Sequence, residues 1–215
     1  SRERRDGVRV VKQREHNRVA GEQATRMTTE WIHQVRNDGT LLRSVQLTDL
    51  AQFGAPHTMR VCQHGHRVAL IRNVYTQHAD ESIPHSVVMV WDTVSAPNGL
   101  SEVLEPPPEA ESLGAINAQD AWWLQDSTLG DQKQLVVLWS TAYVHPMGTL
   151  VGANADNACY FLAVYAMDHM MGEVQGYTGP FEGKAQTASP NAAGDQVAVL
   201  VRKRPMGAGP GSMAT

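Results

Sequence analysis

Cys62, His64 and His66 stand at i, i+2 and i+4 in the stretch VCQHGHRV. On a strand, side chains two apart project from one face, so this spacing would bring a thiol and two imidazoles together. That donor set suits zinc or copper, and His57, His78 or His85 could complete it. The paired Cys-x-x-Cys spacing of structural zinc sites is missing, and Gly65 sits between the two histidines. The competing expectation is a strand entry whose polar residues face solvent.

Cys159 is the second thiol, in DNACYFL (Asp156 to Leu162). Over these seven residues the sequence resembles papain-like cysteine peptidases, in which the nucleophilic cysteine opens a helix and precedes an aromatic residue. The resemblance implies Cys159 as nucleophile and a histidine approaching it from a separate strand as general base. The only downstream histidine is His169, ten residues on. That spacing puts it roughly 15 Å away along a helix, so an upstream residue such as His145 would have to serve. The alternative for Cys159 is a buried structural residue, as free cysteine usually is. No phosphate-binding loop, nucleophile elbow or dinucleotide fingerprint is present, and no cofactor is expected. The glycines at 207–211 follow no helix signal and read as a tail. On balance the sequence does not read as an enzyme.

Charge is more informative than any motif. The net of −4 conceals a segregation: residues 1–72 carry +6, residues 73–201 carry −13, and Arg202, Lys203 and Arg204 add +3. Such layouts point to charged partners, either a fold-back within one chain or a basic end of one copy meeting the acidic middle of the next. Arginine, which pairs bidentately with carboxylates, outnumbers lysine fourteen to four. Residues 1–21 form a basic arm in this reading, with Arg4, Arg5, Arg9 and Arg14 as ion-pairing residues and Val8, Val10 and Val11 as its small apolar part. The arm has no aromatic residue, so any RNA contact through it is electrostatic, weak and without sequence reading.

The elements that would position these residues read as mainly β, sandwich-like or α+β. Ala24, Met27, Trp31 and Val35 recur at spacings of three and four, which predicts an amphipathic helix from Glu22 to Arg36, stopped by Asn37, Asp38 and Gly39. Valine, leucine and tryptophan runs predict strands near 67–73, 86–93, 121–126, 134–141 and 196–202. The run Cys159 to Met171 carries both helix and strand signals, and its aromatic and β-branched residues favour a strand. One β-rich domain over 22–205 is expected, with an extended Pro/Glu-rich loop at 94–119 and a Gly/Pro-rich tail at 206–215.

At 215 residues, 42% apolar and 19% charged, the chain can bury a substantial core. It has no apolar run of about 20 residues to cross a bilayer and no signal-peptide core behind its arginine-rich start. Two cysteines make no disulfide framework. A soluble chain in a virion or the cytoplasm is therefore expected. It begins at Ser1 rather than methionine, as a processed or excised polypeptide would. The functional expectation is a structural subunit of a large assembly, most concretely a viral capsid or capsid-associated protein. Other protein subunits, of the same or a different chain, would be its partners.

Overall fold

The computed structural model describes residues 8–18, 26–36, 38–46, 56–62, 66–78, 81–94, 102–124, 134–141, 143–144, 150–151, 158–167, 172–191 and 196–202. The chain is mainly β, with one five-residue helix among the described residues. It divides into two compact units, residues 1–74 with 87–104, and residues 75–86 with 105–215.

In the first unit, β1 (Val8–Arg18), β2 (Arg26–Arg36) and β3 (Leu41–Gln46) form one antiparallel sheet in that order. A second sheet carries β4 (Pro56–Val61), β5 (Arg67–His78), β6 (Glu81–Asp92) and β7 (Glu102–Leu104), of which the end of β5 from Tyr75 and the start of β6 up to Ser86 are counted with the second unit. Alternation on the strands aims Ile32 and Val45 from the first sheet, and Val68, Leu70, Met89 and Trp91 from the second, into one apolar cluster. Ala69, Ile71, Val88 and Val90 on the intervening positions are buried too. The central strands β5 and β6 are therefore covered on both faces, which is why they read as unbroken apolar runs.

Residues 26–36 are a strand, not the helix that the three-and-four spacing predicts. The segment is rich in residues that fit a pleated surface, Thr28, Thr29, Trp31, Ile32 and Val35. It is also hydrogen-bonded on both sides, from Val8↔Arg36 to Arg18↔Arg26 with β1 and through Ile32↔Val45 with β3. A helix would bury Trp31 and Val35 together, whereas here Ile32 and Gln34 are the buried pair. The predicted stop is a hairpin turn instead. Arg36 N–H donates to Thr40 O (2.9 Å), Gly39 takes φ +89°, and Asp38 Oδ1 accepts from Thr40 N–H at 2.8 Å. That bond holds the Asp38 carboxyl below its usual range.

Residues 8–18 of the expected arm thus belong to the chain's own sheet as β1, which carries Val8, Arg9, Val10 and Arg14. Arg4 and Arg5 lie outside the described residues, as does the tail at 206–215.

The second unit is built on a sheet ordered β13 (Glu173–Glu182), β12 (Cys159–Ala166), β9 (Gln134–Ser140), β8 (Asn117–Leu124). The hairpin of β14 (Lys184–Pro190) and β15 (Val197–Arg202) packs Ala185, Val197 and Val199 against Trp122, Val136 and Leu138 on one face of that sheet. On the other face Trp123, Val137, Trp139, Phe161, Ala163 and Tyr165 are all buried. β10 (Tyr143–Val144) and β11 (Leu150–Val151) form a minor hairpin.

The predicted loop at 94–119 is partly built. It carries β7, helix α1 (Pro108–Ser112) and the start of β8. Ala110 and Ala115 are fully buried, and the Glu105 carbonyl accepts a 2.6 Å hydrogen bond from Tyr165. Proline at 106–108 gives α1 its preorganised start rather than keeping the segment extended.

Candidate functional site

The structure brings Cys62 and His66 together. Cys62 directly follows β4 and is 3% exposed, while His66 directly precedes β5. Because β4 and β5 pair antiparallel through Val61↔Val68, the chain turns between them and the two residues meet across that turn. They do not share one strand face, as the i, i+4 spacing suggests. His64 lies outside the described residues. Sγ of Cys62 is 3.7 Å from Nδ1 of His66 and accepts the backbone N–H of Arg67 at 3.2 Å.

The frame around the pair is closely tied. Cys62 N–H donates to Arg67 O at 3.0 Å. The His66 carbonyl accepts from both the N–H (2.8 Å) and the hydroxyl (3.0 Å) of Thr93, just past the end of β6. Arg67 Nε meets Asp92 Oδ2 at 3.2 Å, with both side chains largely sheltered. The second Asp92 oxygen accepts from Val94 N–H at 2.8 Å. Burial, the largest single influence on Cys62, pushes its thiol up. The hydrogen bond from His66, the Arg67 N–H and the imidazole charge outweigh it, leaving the thiol more acidic than an ordinary cysteine.

Cys159 differs in kind. It is the first residue of β12, not the start of a helix, so the placement that the papain-like resemblance implies is absent. Its backbone N–H donates to Thr141 Oγ1 at 3.0 Å, and its carbonyl accepts from Thr141 N–H at 3.0 Å. Burial pushes its thiol up, only partly offset by a hydrogen bond with Thr141. A less acidic thiol is a poorer nucleophile at neutral pH. His145 and His169 lie outside the described residues.

No group of three or more His, Cys, Asp or Glu side chains with metal-binding geometry occurs among the described residues. His85 lies on β6 in the second unit, while His57 and His78 lie at described backbone positions of β4 and β5.

Two polar constellations escaped the sequence reading. Asp120, 3% exposed on β8, accepts Thr187 Oγ1 (3.0 Å) and Ala188 N–H (3.3 Å) of β14 through Oδ2, and Ala121 N–H (2.9 Å) through Oδ1. Trp139 Nε1 donates to the Tyr165 hydroxyl at 2.8 Å, which donates onward to Glu105 O. Burial drives the Tyr165 hydroxyl far above its ordinary range, so it stays a donor at any physiological pH. Both read as scaffold polar bonds: each links backbone and side chains within the second unit. An acid inside the apolar-flanked run NAQDAWWL was the signal available for Asp120, since buried acids occur only with partners.

No helix among the described residues is long and apolar enough to cross a membrane. Comparison with protein-family models, curated proteins and solved structures finds no match to this chain.

Proposed function

We propose that the chain is a structural subunit of a large multimeric assembly, its sandwich-like sheets serving as a scaffold for contacts between copies. The observation that carries this reading is the charge of the two compact units. The first holds thirteen Arg and Lys against nine Asp and Glu, net +4, and the second five against thirteen, net −8. Each copy thus offers two surfaces of opposite sign, which favours head-to-tail association with other copies.

Two sheet edges fit the contact. β1 is the outer strand of its sheet and carries Arg9, Lys12, Arg14 and Arg18. β13 is the outer strand of the second unit's main sheet, exposed along almost its whole length, and begins and ends with glutamate. Unpaired strand edges are templates for another chain. Pro180 and two register breaks between β12 and β13 limit indiscriminate pairing there. A viral capsid or capsid-associated protein is the most concrete form of this proposal, with Arg4, Arg5, Arg9 and Arg14 gripping neighbours and touching RNA only non-specifically.

Because β1 pairs with β2 along its whole length, substitution rather than deletion is the clean test. The quadruple variant Arg4→Gln, Arg5→Gln, Arg9→Gln, Arg14→Gln keeps the strand and removes four charges. Raising salt from about 0.1 M to about 1 M shortens the screening length from about 10 Å to about 3 Å. Light scattering is expected to show the wild type shifting to smaller species across that range, and the variant already small at low salt with little further response. Identical size distributions and salt responses for the two proteins would overturn the proposal.

A further inference from the structure

We propose that the sheet of β1, β2 and β3 binds single-stranded nucleic acid on the face turned away from the second sheet, with Trp31 as the stacking platform for a base. Alternation along β2 sends Ile32 into the apolar cluster with Val68, Leu70, Met89 and Trp91, and so sends Trp31, His33 and Val35 to the opposite face. Of the five tryptophans, Trp91, Trp122, Trp123 and Trp139 are buried, and Trp31 alone is half-buried. The partly buried apolar residues packed against that cluster are Met59 and Val87, not Trp31. A large amphipathic ring outside the cluster is contact area held out to a partner.

The ring does not stand alone. The His33 ring lies within 7° of parallel to it, with centroids 6.2 Å apart, and a 2.8 Å hydrogen bond between Nδ1 and Ser44 Oγ of β3 steadies it. Every base has a π-face, so flat rings of this kind take single strands without reading sequence. Gln46, in register with Trp31 on β3, is exposed, and its amide can bond a base edge. Charge then selects the ligand. The three strands carry seven arginines and lysines against two glutamates, a net of +5. β1 has no aromatic residue of its own, but its pairing through Gln13↔Trp31 and Val11↔His33 sets both rings on the strand beside its cations. Phosphates answer the charge and bases answer the rings. An acidic protein surface would answer only the charge.

This site uses a sheet face, whereas the assembly contact uses strand edges, so either can fail without the other. Its test is fluorescence anisotropy on the full chain, with a labelled oligothymidylate of about 12 nucleotides and an abasic strand of the same length and charge. The wild type should bind the oligothymidylate about tenfold or more tightly than the abasic strand. Trp31→Ala should abolish that preference while leaving the abasic affinity and the salt dependence unchanged, and Trp31→Phe should keep most of it. Arg9, in register with Val35 on the same face, supplies the converse. Arg9→Gln should weaken both strands alike and lower the slope of log affinity against log salt by about 0.7. Equal wild-type affinity for the two strands, or a Trp31→Ala protein that still prefers the oligothymidylate, would overturn the site. Binding to neither strand would overturn it too, and smaller particles for Trp31→Ala in light scattering would then give the face to a neighbouring copy.

Discussion

Replacing Asp120 with alanine is expected to lower the stability of the second unit by about 2–4 kcal/mol. Its carboxylate is nearly fully buried and is the shared acceptor of the Thr187 hydroxyl, the Ala188 N–H and the Ala121 N–H. Those bonds fasten β14 to β8 beside the apolar cluster of Trp122, Val136, Leu138 and Ala185. Hydrogen bonds to a charged acceptor are worth about 1.5–3 kcal/mol each when lost in isolation, and losses within one network overlap. Asp120→Asn, which retains one carbonyl acceptor, should cost less. Hydrogen exchange of β14 amides, with urea unfolding for the overall free energy, reads both effects. Protection of Ala188 unchanged in Asp120→Ala would show that the carboxylate does not fasten this hairpin.

Trp139 is expected to matter as much. It is fully buried on β9, and truncation to alanine removes a large side chain and should cost about 3–5 kcal/mol. Tyr165→Phe separates the polar contribution from the packing. The ring volume is kept, but the indole N–H loses its acceptor and the Glu105 carbonyl loses its donor. That should cost about 1–3 kcal/mol, because the indole is left unsatisfied away from water. Denaturant unfolding monitored by tryptophan fluorescence gives both values. A Tyr165→Phe protein as stable as the wild type would mean that the Trp139–Tyr165–Glu105 chain contributes no net stability.

These two anchors mark where the sequence was legible and where it was not. β5, β6, β8, β9 and β12 carry runs such as VALI, VVMVW and QLVVLW, and strands covered on both faces announce themselves that way, whereas β15 is betrayed by its β-branched residues although Leu200 on its outer face is exposed. Cys159 to Ala166 fits the same logic: its strand alternation sends Phe161, Ala163 and Tyr165 to one face and Tyr160, Leu162 and Val164 to the other. β13 and β14, in EVQGYTGPFE and KAQTASP, are polar, rich in Gly or Pro, and largely exposed, so no apolar period betrays them. β2 misleads because Ala24, Met27, Trp31 and Val35 imitate a helical stripe, and only pairing with β1 and β3 decides the outcome.

The candidate site was half legible. Spacing singled out Cys62 and His66, but the reason they meet is a hairpin whose first strand, Pro56–Val61, holds one buried-facing methionine and little else to signal it. The bonds that steady His66 and Arg67 come from Thr93 and Asp92 at the end of β6 and just past it, 27 and 25 residues away in sequence, and no local pattern forecasts them.

Assembly through opposite charges is the central claim, and direct imaging tests it most simply. Electron microscopy of the purified full-length chain at low ionic strength, with its mass measured in the same buffer, should show regular particles many times the 23.5 kDa of one chain. A monodisperse species of single-chain mass at every concentration and salt tested would contradict it.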